Sequence, residues 1–315
     1  MINEYHFVSI IIPCRNEGKF IGKCLDTVLE QDYPKENLEI LVVDGMSEDK
    51  TKEIARNYSE EYPFIKLLEN HKKFTNFAFN MGIKASKGEI IMIMGTHAGY
   101  EKDYISKCVR YLNEYNADNV GGVIKTIPSK NTLCARAITL SLSHVFGVGS
   151  SYFRTGFKDP KWVDTVFGGC YKKEVFDKIG LFNENLLRSQ DMELNIRLKK
   201  AGGKILLHPE IIAHYYPKDN LKDFFVHNIK DGIWAVYPLK FIKTSLRLRH
   251  YTPLILVLTL PISIWPYILL SLFFSLKIAV RKKDIRLFFI MPLIFGARHI
   301  GYGLGSVWGI IKLLF

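Results

Sequence analysis

Arg15, Asn16 and Glu17 follow directly on one apolar run, Asp44 closes a second, and His97 comes just after a third that ends at Met94. A guanidinium, carboxylates and an imidazole gathered behind apolar runs can hold a charged ligand. The usual phosphate cradles are missing. No GxGxxG follows the first run and no GxxxxGK[ST] occurs in the chain, which removes the loops of dinucleotide oxidoreductases and P-loop NTPases. What remains is a nucleotide held mainly by side chains and carboxylates.

The elements that must position these residues are legible in the pattern. Phe7–Pro13, Glu39–Asp44, Ile65–Glu69 and Glu89–Met94 read as buried strands, the first short and β-branched and ending in proline. Phe20–Gln31 carries apolar residues at helical spacing, and Thr51–Tyr58 and Thr75–Ala85 read as further helices. Strands alternating with helices imply right-handed crossovers, a mostly parallel sheet and an α/β fold. Ligands then collect beyond the carboxyl ends of the strands, where the polar residues stand.

Charge divides the chain in two. The formal net charge is +12, yet residues 239–315 hold 11 Lys and Arg against one acid, Asp284, while the first 238 residues carry 32 basic and 30 acidic groups. The excess belongs to the most apolar part, and nucleic-acid binders instead spread Lys and Arg over a solvated face. Nucleic acid is therefore not an expected partner. Cys14, Cys24, Cys108, Cys134 and Cys170 are scattered, with no CxxC and no zinc spacing, and read as reduced thiols. The N-terminus lacks the features of a secretory signal, which keeps the catalytic part in the cytoplasm.

Tyr251–Leu276 is a run of 26 residues without a formal charge, long enough for a helix to cross about 30 Å of hydrocarbon. Pro261 and Pro266 interrupt it and basic clusters flank it on both sides, so a tilted span and a broken hairpin returning to the same face fit equally. Lys240, Lys243, Arg247 and Arg249 form the first cluster. Leu287–Phe315 is apolar again, with five glycines and the pair Arg298-His299. That pair reads either as an interfacial helix end or as a contact for the phosphate of a lipid-linked substrate. The expected organisation is a catalytic domain over 1–222, an amphipathic interfacial linker over 223–250, and membrane-embedded helices over 251–315.

The string VSIIIPCRNEGKFIGKCLDTVLEQ followed by ILVVDGMSEDKT resembles the start of the family 2 glycosyltransferases with the GT-A fold. NFAFNMGIKASKGEIIMIMGTHAGY, DTVFGGCYKKEVFDKIGLFNENLLRSQDMELNIRLKKAG and HPEIIAHYYPK extend the resemblance to about residue 220, nearest to the succinoglycan-biosynthesis branch. It implies an inverting transfer of a sugar from a nucleoside diphosphate donor at the cytoplasmic face of the cell membrane. By position, Pro13, Arg15 and Glu17 would surround the nucleoside, Asp44 would meet the base, Lys73 and Asn80 would lie beside the nucleotide, and Thr96 and His97 would approach it after the fourth strand. Asp44, with Ser47 and Asp49, also suits turns and helix caps. Glu17 could serve a local cap, and Lys73 a solvated surface.

The family places Asp-x-Asp after the fourth strand to hold Mg²⁺ or Mn²⁺ on the donor diphosphate. Here the triplet is Gly95-Thr96-His97. The resemblance thus implies a divalent cation while the chain lacks the carboxylates, leaving His97, with His214 as a second ligand, or else an imidazole bound directly to the diphosphate. Inversion needs a base for the acceptor hydroxyl, and Asp191 in Arg188-Ser-Gln-Asp-Met-Glu193 fits the family motif. Ser189 would cap its helix, Leu194, Leu198 and Ala201 would face inward, and Gly202-Gly203 would end it. Gly168, Gly169 and Gln190 would meet acceptor or donor sugar, although the two glycines also suit a turn of positive φ. His208 and His214 could simply pack, and Trp234 could anchor an amphipathic helix, the Gln-x-x-Arg-Trp of processive relatives being absent. The acceptor would be a lipid-linked saccharide. A polyprenyl phosphate acceptor and a non-catalytic nucleotide-sugar-binding subunit are the alternatives.

Overall fold

The computed structural model describes residues 5–241 and 248–314. It divides into two compact units, Met1–Lys125 with Gly156–Tyr215, and Thr126–Thr155 with Tyr216–Phe315. The first unit opens with β1 (Val8–Cys14), α1 (Ile21–Leu29), β2 (Leu38–Asp44), α2 (Thr51–Glu61), β3 (Ile65–Glu69), α3 (Thr75–Ala85) and β4 (Ile90–Ile93). It continues with β5 (Ala98–Tyr100), α4 (Tyr104–Glu114) and β6 (Asn119–Thr126). The second unit then takes α5 (Leu133–Leu142) and the single turns α6 (Val145–Val148) and α7 (Tyr152–Thr155). The first unit resumes with β7 (Lys161–Trp162), β8 (Cys170–Lys172), α8 (Glu174–Ile179), α9 (Gln190–Lys200) and β9 (Ile205–Tyr215). The remainder of the second unit is α10 (Leu221–Val236), α11 (Leu248–Leu258), α12 (Leu260–Lys282) and α13 (Arg286–Leu314).

Among the described residues nine strands form one mixed sheet in the order β3-β2-β1-β4-β8-β6-β9-β5, with β7 on β9. Its N-terminal half is parallel, as expected. β1 is flanked by β2 and β4, with Ile10 opposite both Ile40 and Met92. A strand covered by helices on both faces needs apolar side chains on both, which is why β1 and β2 show no alternation. The chain runs β1, β2, β3 outward and then returns to place β4 on the other side of β1, so the order reverses between β1 and β4. That reversal point opens a crevice at the carboxyl ends of the two strands. Beyond β4 the pairings of β8 with β4 and β6, and of β9 with β5 and β7, are antiparallel.

Residues 126–155, within the range expected for the catalytic domain, cluster instead with the C-terminal helices. Leu133–Leu142 is an apolar helix, and its buried Ala135, Ala137 and Ile138 require a packing partner that α13 supplies. Among the described residues, α12 and α13 are long and apolar enough to cross a membrane. The expected linker over 223–250 is in part α10. Its Trp234 packs edge-on to Tyr237 at 5.3 Å, while residues 242–247, including Lys243 and Arg247, lie outside the described residues.

Candidate active site

The crevice between the ends of β1 and β4 is a cleft of about 280 Å³. Pro13, Arg15 and Glu17 enter it from β1, and Gly95, Thr96, His97 and Ala98 from beyond β4. Asn70, Lys73, Phe74, Thr75 and Ala78 close it from the loop and first turns of α3. Phe167 and Tyr215 complete the wall. Six of the expected donor residues, Pro13, Arg15, Glu17, Lys73, Thr96 and His97, thus converge on one cavity.

The loops that carry them are braced. Asn16 and Glu17 donate their backbone N–H groups to the hydroxyls of Ser47 (2.9 Å) and Thr51 (2.6 Å), and Gly18 donates to Asp49 Oδ2 at 3.0 Å. Glu48 N–H returns a bond to Asn16 Oδ1 at 2.8 Å. The bonds from Thr51 and Gly18 hold the Asp49 carboxyl below its ordinary value, the Thr51 hydroxyl contributing most. The DGMSEDKT string therefore fixes the segment that presents Arg15 and Glu17. On the facing loop, buried Asn70 accepts from Lys72 N–H (3.1 Å) and donates to the Phe74 carbonyl (2.9 Å), which holds Lys73 at φ +67°. An ordinary residue rarely adopts that conformation without such support.

His97 and Glu17 meet across the cleft. His97 Nε2 lies 2.9 Å from Glu17 Oε2 and 3.0 Å from Oε1, and Phe20 packs on the imidazole at 4.3 Å. Asp44, expected to meet the base, does not line the cleft. It is fully buried, and its carboxylate accepts from Ser47 N–H at 3.0 Å and Ser47 Oγ at 2.5 Å. The turn after β2 consumes it, because a buried carboxylate must be met by donors.

Asn80 is likewise diverted. Its Nδ2 donates to the Phe182 carbonyl (2.9 Å) and Glu184 Oε1 (3.0 Å), and its Oδ1 accepts from Phe182 N–H at 2.9 Å. It clamps α3 to the 182–184 turn and does not line the cleft. Asn80→Ala is expected to cost about 2 kcal/mol through the orphaned Phe182 N–H, lowering Tm while the donor KM stays unchanged. Thermal denaturation alongside steady-state kinetics checks both.

The residues fit a protein-held divalent cation poorly. His97 supplies one nitrogen and Glu17 one carboxylate, already bonded to each other. His214 stands on Glu101 Oε1 at 2.9 Å and does not line the cleft. Among the described residues no group of three or more His, Cys, Asp or Glu gathers, whereas a hard cation takes about six oxygen ligands. His208 stacks on Tyr111 at 3.5 Å, a packing role, and its burial lowers its pKa.

Gly168 and Gly169 adopt φ +68° and +108°, so the chain turns there as only glycine readily can. A Cβ on Gly168 would fall 2.7 Å from the Ile93 carbonyl. The turn delivers Phe167 to the cleft on one side and starts β8 on the other. Tyr171 in β8 donates to Asn195 Oδ1 at 3.2 Å, and Asn195 Nδ2 donates to Thr165 Oγ1 at 3.1 Å, anchoring α9. Asp191 stands in the first turn of that helix but is not part of the cleft wall. Desolvation raises its carboxyl above the ordinary Asp value, and the Met192 and Asp191 N–H groups pull it back. Ser189 precedes the helix at φ +56° without a side-chain cap, Leu194 and Leu198 are buried as expected, and Ala201 is exposed because the helix stops before it. Gln190 keeps its Oε1 buried with no hydrogen-bond partner.

Asn70, Phe74, Phe167 and Tyr215 were not foreseen as cleft residues. Phe167 stands directly before the Gly-Gly pair and Tyr215 in HYYPK, but neither residue type marks a ligand contact in a sequence.

The profile of Glycosyl transferase family 2 matches residues 9–180. The dolichyl N-acetyl-alpha-D-glucosaminyl phosphate 3-beta-D-2,3-diacetamido-2,3-dideoxy-beta-D-glucuronosyltransferase of Methanococcus voltae is 32% identical, covering 98% of this chain and 98% of its own length. Succinoglycan biosynthesis protein ExoA of Rhizobium meliloti is 26% identical over 73% of this chain and 74% of its own. The archaeal enzyme is thus nearer than the branch expected from VVDGMS. Mannosyltransferase PcManGT from Pyrobaculum calidifontis, solved with GDP-Man and Mn²⁺, superposes with a TM-score of 0.66 at 19% identity, covering 97% of this chain and 88% of that one, a likeness of GT-A fold. With the family profile spanning more than half of the chain and the archaeal relative matching nearly all of it, the protein belongs to glycosyl transferase family 2.

Proposed function

We propose that the protein moves a sugar, with inversion, from a nucleoside diphosphate donor to a lipid-linked saccharide at the cytoplasmic face of a membrane. The observation that carries this is the cleft at the β1/β4 reversal. Arg15, Lys73 and His97 approach it from three separate loops, suited to a diphosphate, and aromatic Phe74, Phe167 and Tyr215 supply apolar wall for base and sugar. The Methanococcus voltae relative, named for a dolichyl-phosphate-linked acceptor and similar over 98% of this chain, supports the acceptor class.

In this reading the donor diphosphate lies against Arg15 and Lys73, with Glu17 holding His97 toward it. The acceptor hydroxyl oxygen attacks the anomeric carbon from the side opposite the diphosphate. The carbon–oxygen bond to the β-phosphate breaks as the glycosidic bond forms, the nucleoside diphosphate departs with the electron pair, and Asp191 takes the hydroxyl proton. Gly168 and Gly169, directly after the cleft residue Phe167, would leave the backbone bare where donor sugar and acceptor approach. A polyprenyl phosphate acceptor would differ only in its nucleophile, a phosphate oxygen that needs no base.

The test is the product's anomeric configuration by proton NMR, using the purified full chain, a nucleotide sugar and a lipid-linked saccharide. An anomeric centre opposite to the donor's is expected. Retention of configuration would reject the single displacement, and a glycosyl phosphate product would move the assignment to the polyprenyl phosphate class.

A further inference from the structure

By length and composition α12 and α13 qualify as two membrane spans. Their packing within the second unit says otherwise. Gly301, Gly305 and Gly309 recur every fourth residue on α13 and meet α10 backbone to backbone. A Cβ on Gly305 would lie 2.0 Å from the Ile229 carbonyl, and one on Gly232 of α10 would lie 2.0 Å from the Tyr302 carbonyl. α10 carries Lys222, Asp223, His227, Lys230 and Asp231, and a helix that polar does not share hydrocarbon depth with its neighbour. The C-terminal half of α13 is therefore held at the water boundary.

Charged pairs hold the opposite end as well. Asp284, in the turn joining α12 to α13, pairs with Arg136 of α5 at 3.2 Å, and Lys130, just before α5, pairs with Asp219, just before α10, at 2.8 Å. Between the two ends, Arg298 donates through Nε to the Gly147 carbonyl and through Nη1 to Asn228 Oδ1 of α10 at 2.8 Å. Arg298 thus staples α13 to α10 and to the turn α6. α13 is tied near its start to Arg136, six residues after the Lys130 that pairs beside α10, at its middle to the Gly147 carbonyl and Asn228, and along its C-terminal half to the α10 backbone. A crossing helix would have its ends in water on opposite sides and its middle free of such ties.

The other face is apolar and bare. Ile262, Trp265, Leu269 and Phe273 follow one another at helical spacing on α12, each more than half exposed, and Phe289, Leu293 and Trp308 do so on α13. Lys277, Arg281, Lys282, Lys283 and Arg286 stand exposed around one end of that surface. A one-sided apolar plate with a cationic rim matches one leaflet carrying anionic headgroups, each cation near the surface adding attraction.

We propose that the second unit is monotopic, with α12 and α13 lying in the plane of a single anionic leaflet and neither helix crossing it. The inference concerns attachment alone and stands or falls separately from the transferase reading. The test uses the full chain in a bacterial host, with the partly exposed Cys134 changed to Ser and one reporter added, Lys282→Cys at the hairpin turn or Lys230→Cys on α10. With a membrane-impermeant maleimide, both reporters are expected to react in inverted vesicles and neither in intact spheroplasts. Labelling of Lys282→Cys from outside spheroplasts would overturn the proposal by showing a span. In flotation, purified protein should bind phosphatidylcholine vesicles containing about one third phosphatidylglycerol. Changing Arg281, Lys282, Lys283 and Arg286 to Gln should weaken that binding by at least about tenfold. Equal binding to pure phosphatidylcholine, or a soluble dimer that floats with neither vesicle, would also overturn it.

Discussion

Asp191→Asn is expected to lower kcat about a thousandfold, the size typical of removing a positioned general base, while the donor KM and the Tm hold. The amide keeps the shape and removes the proton acceptor. Because desolvation raises the Asp191 carboxyl, the folded state favours its neutral form, and ionisation at neutral pH opposes folding rather than supporting it. The stability contribution of a raised acid is present at low pH and is lost as pH rises through the folded pKa. Thermal scans at neutral pH should therefore show the variant as stable as the native protein, or slightly more so. In the native enzyme, kcat/KM should fall on acidification through a pKa above the ordinary Asp value, and this acid limb should vanish in the residual activity of the variant. A variant that keeps native kcat would remove Asp191 from the chemistry.

Arg197→Ala is expected to show the largest loss of stability. Arg197 donates through Nε and Nη2 to Glu193 at 2.6 and 2.9 Å, and also reaches the Ile179 carbonyl and, at 2.7 Å, the Leu181 carbonyl. One side chain thereby ties α9 to the end of α8. Its removal leaves Glu193, 3% exposed, as a buried carboxylate without its counter-charge, a situation that costs about 3 kcal/mol or more. At about 2–4 °C per kcal/mol for a unit of this size, Tm should fall by roughly 6–12 °C. Arg197→Lys should recover only part of this, since a point charge cannot span carboxylate and carbonyls together. Equal Tm values for the Lys variant and the native chain would show that charge alone suffices.

The parallel half of the sheet was legible because buried parallel strands leave an unbroken apolar signature. Residues 7–13, 39–44 and 65–69 fall within a residue or so of β1, β2 and β3. The antiparallel half was not legible. β5, β7 and β8 are three residues or fewer and show no periodicity, and their places are set by pairing with β9 and β4 across long sequence separations. Residues 126–155 were similarly opaque, since an apolar ten-residue helix carries no label saying which unit will cover it. Within the site, residue type predicted location better than role. Arg15, Glu17, Lys73 and His97 reach the cleft because they end up on loops at the strand ends. Asp44 and Asn80 stand close in sequence to the same loops, but burial forced each to satisfy backbone and side-chain donors or acceptors nearby. A sequence shows that an Asp follows a strand; it does not show whether the following turn will consume it.

The apolar tail teaches the same lesson at larger scale. Hydropathy reports only how much apolar surface a helix has, whereas the glycine contacts with α10 and the Arg136–Asp284 pair report which side of that surface is already occupied.

Whether the β1/β4 cleft holds a nucleoside diphosphate sugar through Arg15 and Lys73 is read directly from ligand-induced stabilisation of the full chain across a panel of UDP- and GDP-sugars. At a ligand concentration about a hundred times Kd, a specific donor should stabilise the fold by about 2.7 kcal/mol. It should release its nucleoside diphosphate when acceptor is added, and the shift should disappear in the Arg15→Ala/Lys73→Ala double variant without a change in the unliganded Tm. Stabilisation that persists undiminished in the double variant, or a panel in which no nucleotide sugar shifts the native protein, would contradict the account.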